Sequence, residues 1–348
     1  MRSQARGAAL VELLESATGG ASGDRRSLAR LLSLAEQGEA SGRELARLTY
    51  ARSSSAYSVG LTGAPGAGKS TLTSGLITEA RRETGDPVAI LAVDPTSPLS
   101  GGAILGDRVR MQDHALDRCV FIRSMATRGH HGGLAAAVPD ALRLLDATGW
   151  PLVLVETVGV GQVEVEVAAS CDTVVVVLNP GWGDAVQANK AGLLEVADIL
   201  VINKADRPGV RETKRDLVHM LQLSHQLEWV PPIIETVASS GDGIGDLWRA
   251  IGSHRVHLEA AGGLERRRTS RIVDETERLA TSCFAQAVTK ELRHEGSELL
   301  ADLATRSIDP GEAADHVIAS VATRFAQPSP PASPAGGSGD EAARHRGS

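Results

Sequence analysis

Residues Gly63 to Ser70 read GAPGAGKS, and they stand between the apolar run Tyr57–Leu61 and the helical pattern Thr71–Ile77. A G-x-x-x-x-G-K-S stretch that follows a strand and opens a helix has the setting of a phosphate-binding loop. Gly63, Gly66 and Gly68 let backbone N–H groups curl around a phosphate chain, and the helix starting near Lys69 turns its positive end toward it. The Lys69 ammonium reaches the outer phosphates, and the Ser70 hydroxyl can ligate Mg²⁺. Thr62, Ala64, Pro65, Ala67 and Thr71 complete the segment expected to line the phosphates. A glycine-rich turn with no ligand is the plain alternative. The full match in context argues instead for a nucleoside triphosphate.

Downstream, the apolar run Asp198–Ile202 ends in Asn203-Lys204-Ala205-Asp206. A carboxylate at Asp206 can accept both the N1 proton and the exocyclic 2-amino group of guanine. Adenine offers neither donor, so it would leave that acceptor unpaired and be rejected. Asn203 would hold the loop and the N7 edge, and the Lys204 stem would lie over the base plane. Four letters alone describe a surface turn. At a strand end, C-terminal to a phosphate loop, they read as guanine specificity.

A third run, Pro151–Val155, delivers Glu156-Thr157-Val158-Gly159. In most GTP switches this place holds Asp-x-x-Gly, whose carboxylate fixes Mg²⁺ and whose glycine amide contacts the γ-phosphate. Here the acid is Glu156, one methylene longer, and Gly159 keeps its place. The residue after that glycine is often a Gln that orients the attacking water. Here it is Val160, with Gln162 two positions further on. Slow intrinsic hydrolysis, raised by a partner, is the expectation. The run Val88–Val93 ends at Asp94 and leads through a glycine-rich stretch to Asp107. Acids at the C-terminal ends of parallel strands face the ligand crevice. Asp94 and Asp107 therefore join Ser70 and Glu156 as candidates for the Mg²⁺ shell, with a helix cap or turn aspartate as the alternative for each.

Apolar runs alternate with helical patterns from about residue 56 to 255, which predicts an α/β P-loop NTPase fold: a mostly parallel sheet with helices on both faces. Residues 1–55 read as an N-terminal helical extension, with Leu28, Leu31, Leu32 and Ala35 at helical spacing after a cap at Asp24. Residues 264–326 read as a C-terminal helical segment, with helices over Arg271–Glu295 and Pro310–Phe325. On the first of these, Ile272, Thr276, Leu279, Cys283, Ala287 and Leu292 form a stripe that suits either a second chain or an intramolecular core. Residues 327–348 are rich in Pro, Ser and Gly without periodicity, and they are expected to be disordered.

Composition narrows the class. With aromatics at 3%, aliphatic side chains and alanine must fill the core, and a net charge of -7 argues against a nucleic-acid surface. The cluster Arg266–Arg268 reads as the solvated start of a helix. Arg123 and Arg128 flank a loop where they face phosphates or a partner, or are simply solvated. Adjacent His130 and His131 lack further ligands at metal-site spacing. Cys119, Cys171 and Cys283 form no C-x-x-C, which fits a reducing cytoplasm. No signal pattern and no long apolar run occur, so a cytoplasmic protein with no membrane partner is expected.

With these segments in place, the chain resembles the methylmalonyl-CoA mutase-associated GTPases of the MeaB/ArgK type, which belong to the P-loop group that includes the signal-recognition and nickel-insertion GTPases. The matching text includes GLTGAPGAGKSTL, AVDPTSPLSGGAILGDRVRM, FIRSMATRGHHGGLA, ETVGVGQVEVEVA, VLNPGWGDAVQANKAGLLEVADILVINKAD and ASSGDGI. The resemblance implies a homodimeric GTPase, with GTP or GDP and Mg²⁺ as ligands, that attends an adenosylcobalamin-dependent acyl-CoA mutase. It would gate cofactor loading and protect the mutase, which would accelerate hydrolysis in return. It also implies that Asn179 to Lys190 is a partner-responsive switch, with Gly181, Asp184, Gln187 and Lys190 as its key positions; a solvated loop is the alternative. By the same resemblance Val237, Ala238 and Ser239 form the second guanine loop, the Ala238 amide facing the base oxygen. Two other functions compete. A nickel-type metal-insertion GTPase would carry a His-rich or Cys-bearing metal motif near the phosphate loop, and the sequence has none there. A kinase of a transport-system binding protein would more naturally use ATP.

Overall fold

A computed structural model describes residues 2–37, 40–52, 55–94, 114, 116–126, 133–157, 162–181, 195–223, 228–260, 262–293 and 298–326. The apolar runs become seven strands: β1 Tyr57–Gly63, β2 Val88–Asp94, β3 Val120–Ala126, β4 Leu152–Thr157, β5 Thr173–Leu178, β6 Ile199–Asn203 and β7 Ile233–Thr236. All pairings are parallel, in the order β3-β2-β4-β1-β5-β6-β7. After β1 the chain turns toward β2 and β3, and after β4 it crosses to β5. The direction of winding therefore reverses at β1, which opens a crevice at the C-terminal end of that strand.

Parallel strands must be covered on both faces, which is why these runs are continuously apolar rather than alternating. On one face, α4 Lys69–Thr84 and α8 Ile244–Ala260 pack Leu72, Leu76, Leu247 and Ile251 against Leu61, Ile90 and Val175. On the other, α5 Gly133–Ala147 joins the N-terminal helices α1 Arg2–Ala17, α2 Arg25–Gln37 and α3 Ala40–Tyr50, burying Leu14, Leu31, Leu32, Leu145 and Trp150. Short α6 Gln162–Ala169 and α7 Val210–Leu223 cover β5 and β6 through Ala168, Val176 and Leu217. Asp24 caps α2 by accepting from the Ser27 amide at 2.9 Å and the Ser27 hydroxyl at 2.7 Å.

Two sequence expectations about arginines are corrected. The helix expected from Arg271 is α9 Gly263–Leu292, and of the cluster Arg266–Arg268 read as its solvated start, Arg266 is exposed while Arg267 and Arg268 are engaged. Arg267 grips Asp198 through two bonds of 2.9 and 2.8 Å, while Arg268 and Arg271 both bond Asp172, which is 2% exposed. Asp172 stands before β5 and also accepts from the Ser58 amide at 3.0 Å. Burial alone would raise its pKa, but the Arg268 hydrogen bond and the Arg271 charge outweigh that and hold it below the ordinary carboxylate value. Arg123, expected at phosphates, a partner or solvent, instead reaches back from β3 to Glu36 and Ser33 of α2. Arg128, His130 and His131 lie outside the described residues.

Beside the Arg267–Asp198 pair runs a buried polar chain. Tyr57 Oη lies 2.6 Å from Thr173 Oγ1, which lies 2.9 Å from His254 Nδ1, and His254 Nε2 is 3.4 Å from Asp198 Oδ1. One direction of donation satisfies every link: tyrosine to threonine, threonine to Nδ1, and the Nε2 proton toward the carboxylate. Burial pushes the Tyr57 phenol up to about 12, and it lowers the His254 pKa from its ordinary value.

The chain divides into two compact units, Met1–Glu275 and Thr276–Ser348. In the second, the latter part of α9 is accompanied by α10 Glu298–Thr305 and α11 Pro310–Ala326. Ala313, Val317 and Val321 are buried there, the Phe284 and Phe325 rings lie 6.4 Å apart, and Arg324 bonds Glu291 at 2.7 Å. No described helix is long and apolar enough to cross a membrane.

Candidate nucleotide site

The crevice at the end of β1 gathers most of the described residues singled out above. Gly63 closes the strand, residues 64–68 turn, and Lys69 starts α4. Two glycines are dictated by their neighbours. A Cβ on Gly63 would sit 2.1 Å from the Val177 carbonyl oxygen of β5, and one on Gly68 would sit 2.3 Å from Asn203 Nδ2. Both also hold positive φ, 142° and 90°. Thr62 is fully buried within β1, so its side chain supports the loop from beneath. Ala67 is buried under the turn, whereas Pro65, Gly66 and Thr71 are exposed.

Lys69 is buried, and its ammonium donates to the Gly63 carbonyl at 2.6 Å and the Ala64 carbonyl at 3.0 Å. That holds a positive charge inside the concave side of the turn. One residue on, the Ser70 hydroxyl donates to Glu156 Oε1 at 2.5 Å, with both residues buried. The register explains the meeting: Glu156 of β4 lies beside Leu61 of β1, on the face that α4 covers. A hydroxyl and a carboxylate at this separation are hard oxygen donors of the kind Mg²⁺ prefers, so the residues present fit that ion. Asp94 ends β2, level with Ala126. Asp107 and Gly159 lie outside the described residues.

Asn203 is the hub of the base side. Its Nδ2 donates to the Ala67 carbonyl at 2.7 Å, and its Oδ1 accepts from the Thr236 hydroxyl at 3.0 Å and the Ala238 amide at 3.1 Å. One side chain thus joins the phosphate loop, β7 and the second base loop. Lys204 adopts φ 59° and donates to the Gly66 carbonyl at 2.6 Å. Two details refine the sequence reading. Asp206 is exposed, so any penalty against adenine arises only when a base covers it. The Ala238 amide is engaged by Asn203 rather than pointing free. Val237 donates to the Asp242 carbonyl at 3.0 Å, closing a turn that exposes Ser239.

Sequence reasoning missed the cross-links from Asn203 and Lys204 to the phosphate loop, and it missed Thr236. The available signal was a threonine closing β7 two residues before Ala238. Gly181 has φ 74°, and Asp184, Gln187 and Lys190 lie outside the described residues. Among the described residues no group of His, Cys, Asp and Glu is arranged to hold a metal on its own.

The family model described as methylmalonyl Co-A mutase-associated GTPase MeaB matches residues 28–293. The chain is a MeaB-family GTPase. Its MeaB-family relatives include a protein of Pyrococcus abyssi that is 50% identical over 301 residues, 85% of this chain and 93% of its own length. The GTPase ArgK of Escherichia coli is 37% identical over 262 residues, covering 72% of this chain and 78% of its own. The mouse mitochondrial methylmalonic aciduria type A homolog is 35% identical over 270 residues, 72% of this chain and 65% of its own. The crystal structure of a LAO/AO transport system kinase matches with a TM-score of 0.65 at 26% identity, over 92% of this chain and 98% of that one. The MeaB-family assignment and the all-parallel sheet agree with the α/β P-loop expectation.

Proposed function

We propose that this MeaB-family GTPase binds GTP with Mg²⁺ in the crevice at β1 and attends an adenosylcobalamin-dependent acyl-CoA mutase of the methylmalonyl-CoA mutase type. The nucleotide part rests chiefly on the Asn203 hub, which fixes a base-reading strand end to a phosphate loop. The mutase part rests on the family description and on the name of the mouse relative. In this reading Lys69 exchanges the Gly63 and Ala64 carbonyls for the outer phosphates, and loop amides from Gly63 to Thr71 wrap the chain of phosphates. Ser70 and Glu156 would hold Mg²⁺, with Asp94 and Asp107 in its outer shell; when bound, the ion neutralises charge on the β- and γ-phosphate oxygens. Gly159 would offer its amide to the γ-phosphate. Asn203, Lys204 and Asp206 would take the guanine edge and face, with Val237–Ser239 as the second base loop.

Val160 stands where a water-orienting side chain is often found, so hydrolysis by the chain alone is slow, and the mutase raises it by ordering Asn179–Lys190, including Gly181, Asp184, Gln187 and Lys190. The GTP cycle would gate cofactor loading and protect the mutase. The C-terminal helices would join two copies: α9 has no buried residue, and Leu279, Phe284, Leu300, Ile318 and Phe325 are exposed. A cytoplasmic location accompanies this reading. Calorimetric titration with GTP, GDP and ATP in the presence of Mg²⁺ tests the nucleotide part. Equal affinities for GTP and ATP would overturn it. Capture of an adenosylcobalamin-dependent acyl-CoA mutase from native extract by the GTP-loaded protein tests the partner.

A further inference from the structure

The chain that leaves β5 does not hang free of the base loop. At Pro180–Gly181 it rests on the start of α7, the helix that follows Asn203–Gly209. The Gly181 amide donates to the Thr213 hydroxyl at 3.3 Å. Thr213 is 9% exposed and sits in the first turn of α7, where its own amide donates to the Gly209 carbonyl at 3.0 Å. Gly209 holds φ 97°, and a Cβ there would lie 3.2 Å from the Gly181 amide nitrogen and 3.7 Å from Pro180. Two backbones therefore meet where only a hydrogen atom separates them, and one hydroxyl bridges them. The other end of the base loop is also fixed, because the Ala205 amide donates to the Thr236 carbonyl at 3.0 Å and the Arg207 amide to the Lys204 carbonyl at 3.0 Å. Between these two braces stands Asp206.

We propose that Thr213 is a positioning residue that ties the chain at Pro180–Gly181 to the base loop, so that guanine binding at Asp206 tightens the backbone at Gly181. The inference rests on the guanine site proposed above and deepens it. A base held by Asp206 restrains the loop between Ala205 and Gly209, and restraint at Gly209 reaches Gly181 through Thr213, whose amide bonds Gly209 and whose hydroxyl bonds Gly181. The hydroxyl is the element that makes the coupling specific to this residue; valine keeps its shape but accepts no hydrogen bond.

Residue-resolved amide hydrogen exchange tests this, since local opening is what exchange reports. In the unmodified full chain, saturating GDP is expected to slow exchange of the Gly181 amide by about tenfold or more. Thr213→Val and Thr213→Ala should abolish most of that slowing while GDP affinity stays within about twofold, a change near 0.4 kcal/mol or less. Thr213→Ser should restore the slowing, which a purely space-filling role would not require. If GDP binds but leaves Gly181 unaffected, or if the valine and alanine variants respond like the unmodified protein, the inference is overturned. Failure of the unmodified protein to bind GDP would instead overturn the guanine site itself.

Discussion

Lys204 Nζ meets the Gly66 carbonyl at 2.6 Å, which fastens the proposed base loop to the tip of the phosphate loop. Together with the Asn203 bond to Ala67, this cross-links the two halves of the proposed nucleotide site. Pre-organisation of this kind lowers the ordering cost of binding.

Asn203→Ala removes an amide that serves Ala67, Thr236 and Ala238, all at a buried position. Each neutral bond contributes about 0.5–1.5 kcal/mol, and partners left unsatisfied add to the loss. GDP affinity should therefore fall by about 10²-fold, read by calorimetry. Asp206→Ala should act differently. It is exposed, so the fold should be unaffected, while the preference for GTP over ATP narrows. A variant that lost affinity for both nucleotides equally would show that Asp206 does not read the base.

Lys69→Ala should remove triphosphate binding, because its ammonium is the charge held at the Gly63 and Ala64 carbonyls inside the turn. For hydrolysis, the proposed function predicts a slow single turnover, since Val160 replaces a water-orienting Gln, and a rate that the partner mutase raises. A completed site gains about 10³–10⁵ in rate, so even a tenth of that is easily measured. Asp184→Ala or Lys190→Ala should blunt the stimulation and leave GTP affinity nearly unchanged. Fast turnover without a partner would refute the switch assignment.

Much of this was legible in sequence because the informative signals are local. A parallel strand buried on both faces is a continuous apolar run, and the runs that end at Leu61, Val93, Val155 and Ile202 were visible as such. The phosphate loop was legible because Gly63, Gly68, Lys69 and Ser70 lie close together in the chain, and close contacts dictate both glycines. What stayed hidden depends on register and docking. The motifs put Glu156 and Ser70 at one Mg²⁺ shell, but the direct bond between them follows from the β1–β4 register. Arg267 and Arg268 read as part of a solvated cluster because Asp198 and Asp172 lie some seventy to a hundred residues away in the chain.

Acid should weaken the first unit through His254. Its folded-state pKa is lowered, chiefly by burial, so the unfolded chain binds the proton more readily. The stability contributed by the neutral ring is fully present above about 6.5, the unfolded value, and is lost as pH falls from there toward the folded value. Thermal melts across that window should show a decline that His254→Gln reduces. Asp172 is a separate case, for its lowered pKa places its loss below the ordinary carboxylate value. Asp172→Asn strips the partner from two arginines and should cost about 3–5 kcal/mol, lowering the melting temperature by on the order of 10 °C.

The remaining prediction concerns the C-terminal helices. A 30-residue helix in which no residue is buried is a poor end state for an apolar stripe. Along α9, Val273 and Leu279 are 58% and 53% exposed, and in the second unit Ile318 and Phe325 are 50% and 57% exposed. Leu279 and Cys283 of that stripe are exposed, Ala287 and Leu292 are half-buried, and a two-fold copy is the commonest cover for such a surface. Light scattering at tens of micromolar should give a dimer mass. Leu279→Glu should shift it toward monomer, since a charge at a dry contact between copies is costly, while a surface leucine exchanged for glutamate on a free helix changes stability by only a few tenths of a kcal/mol. Deleting residues 327–348 should leave both dimer and GTP hydrolysis intact. A monomer mass for the full chain, unchanged by GTP or GDP, would refute the dimer, whereas a dimer that Leu279→Glu leaves untouched would place the contact on another face.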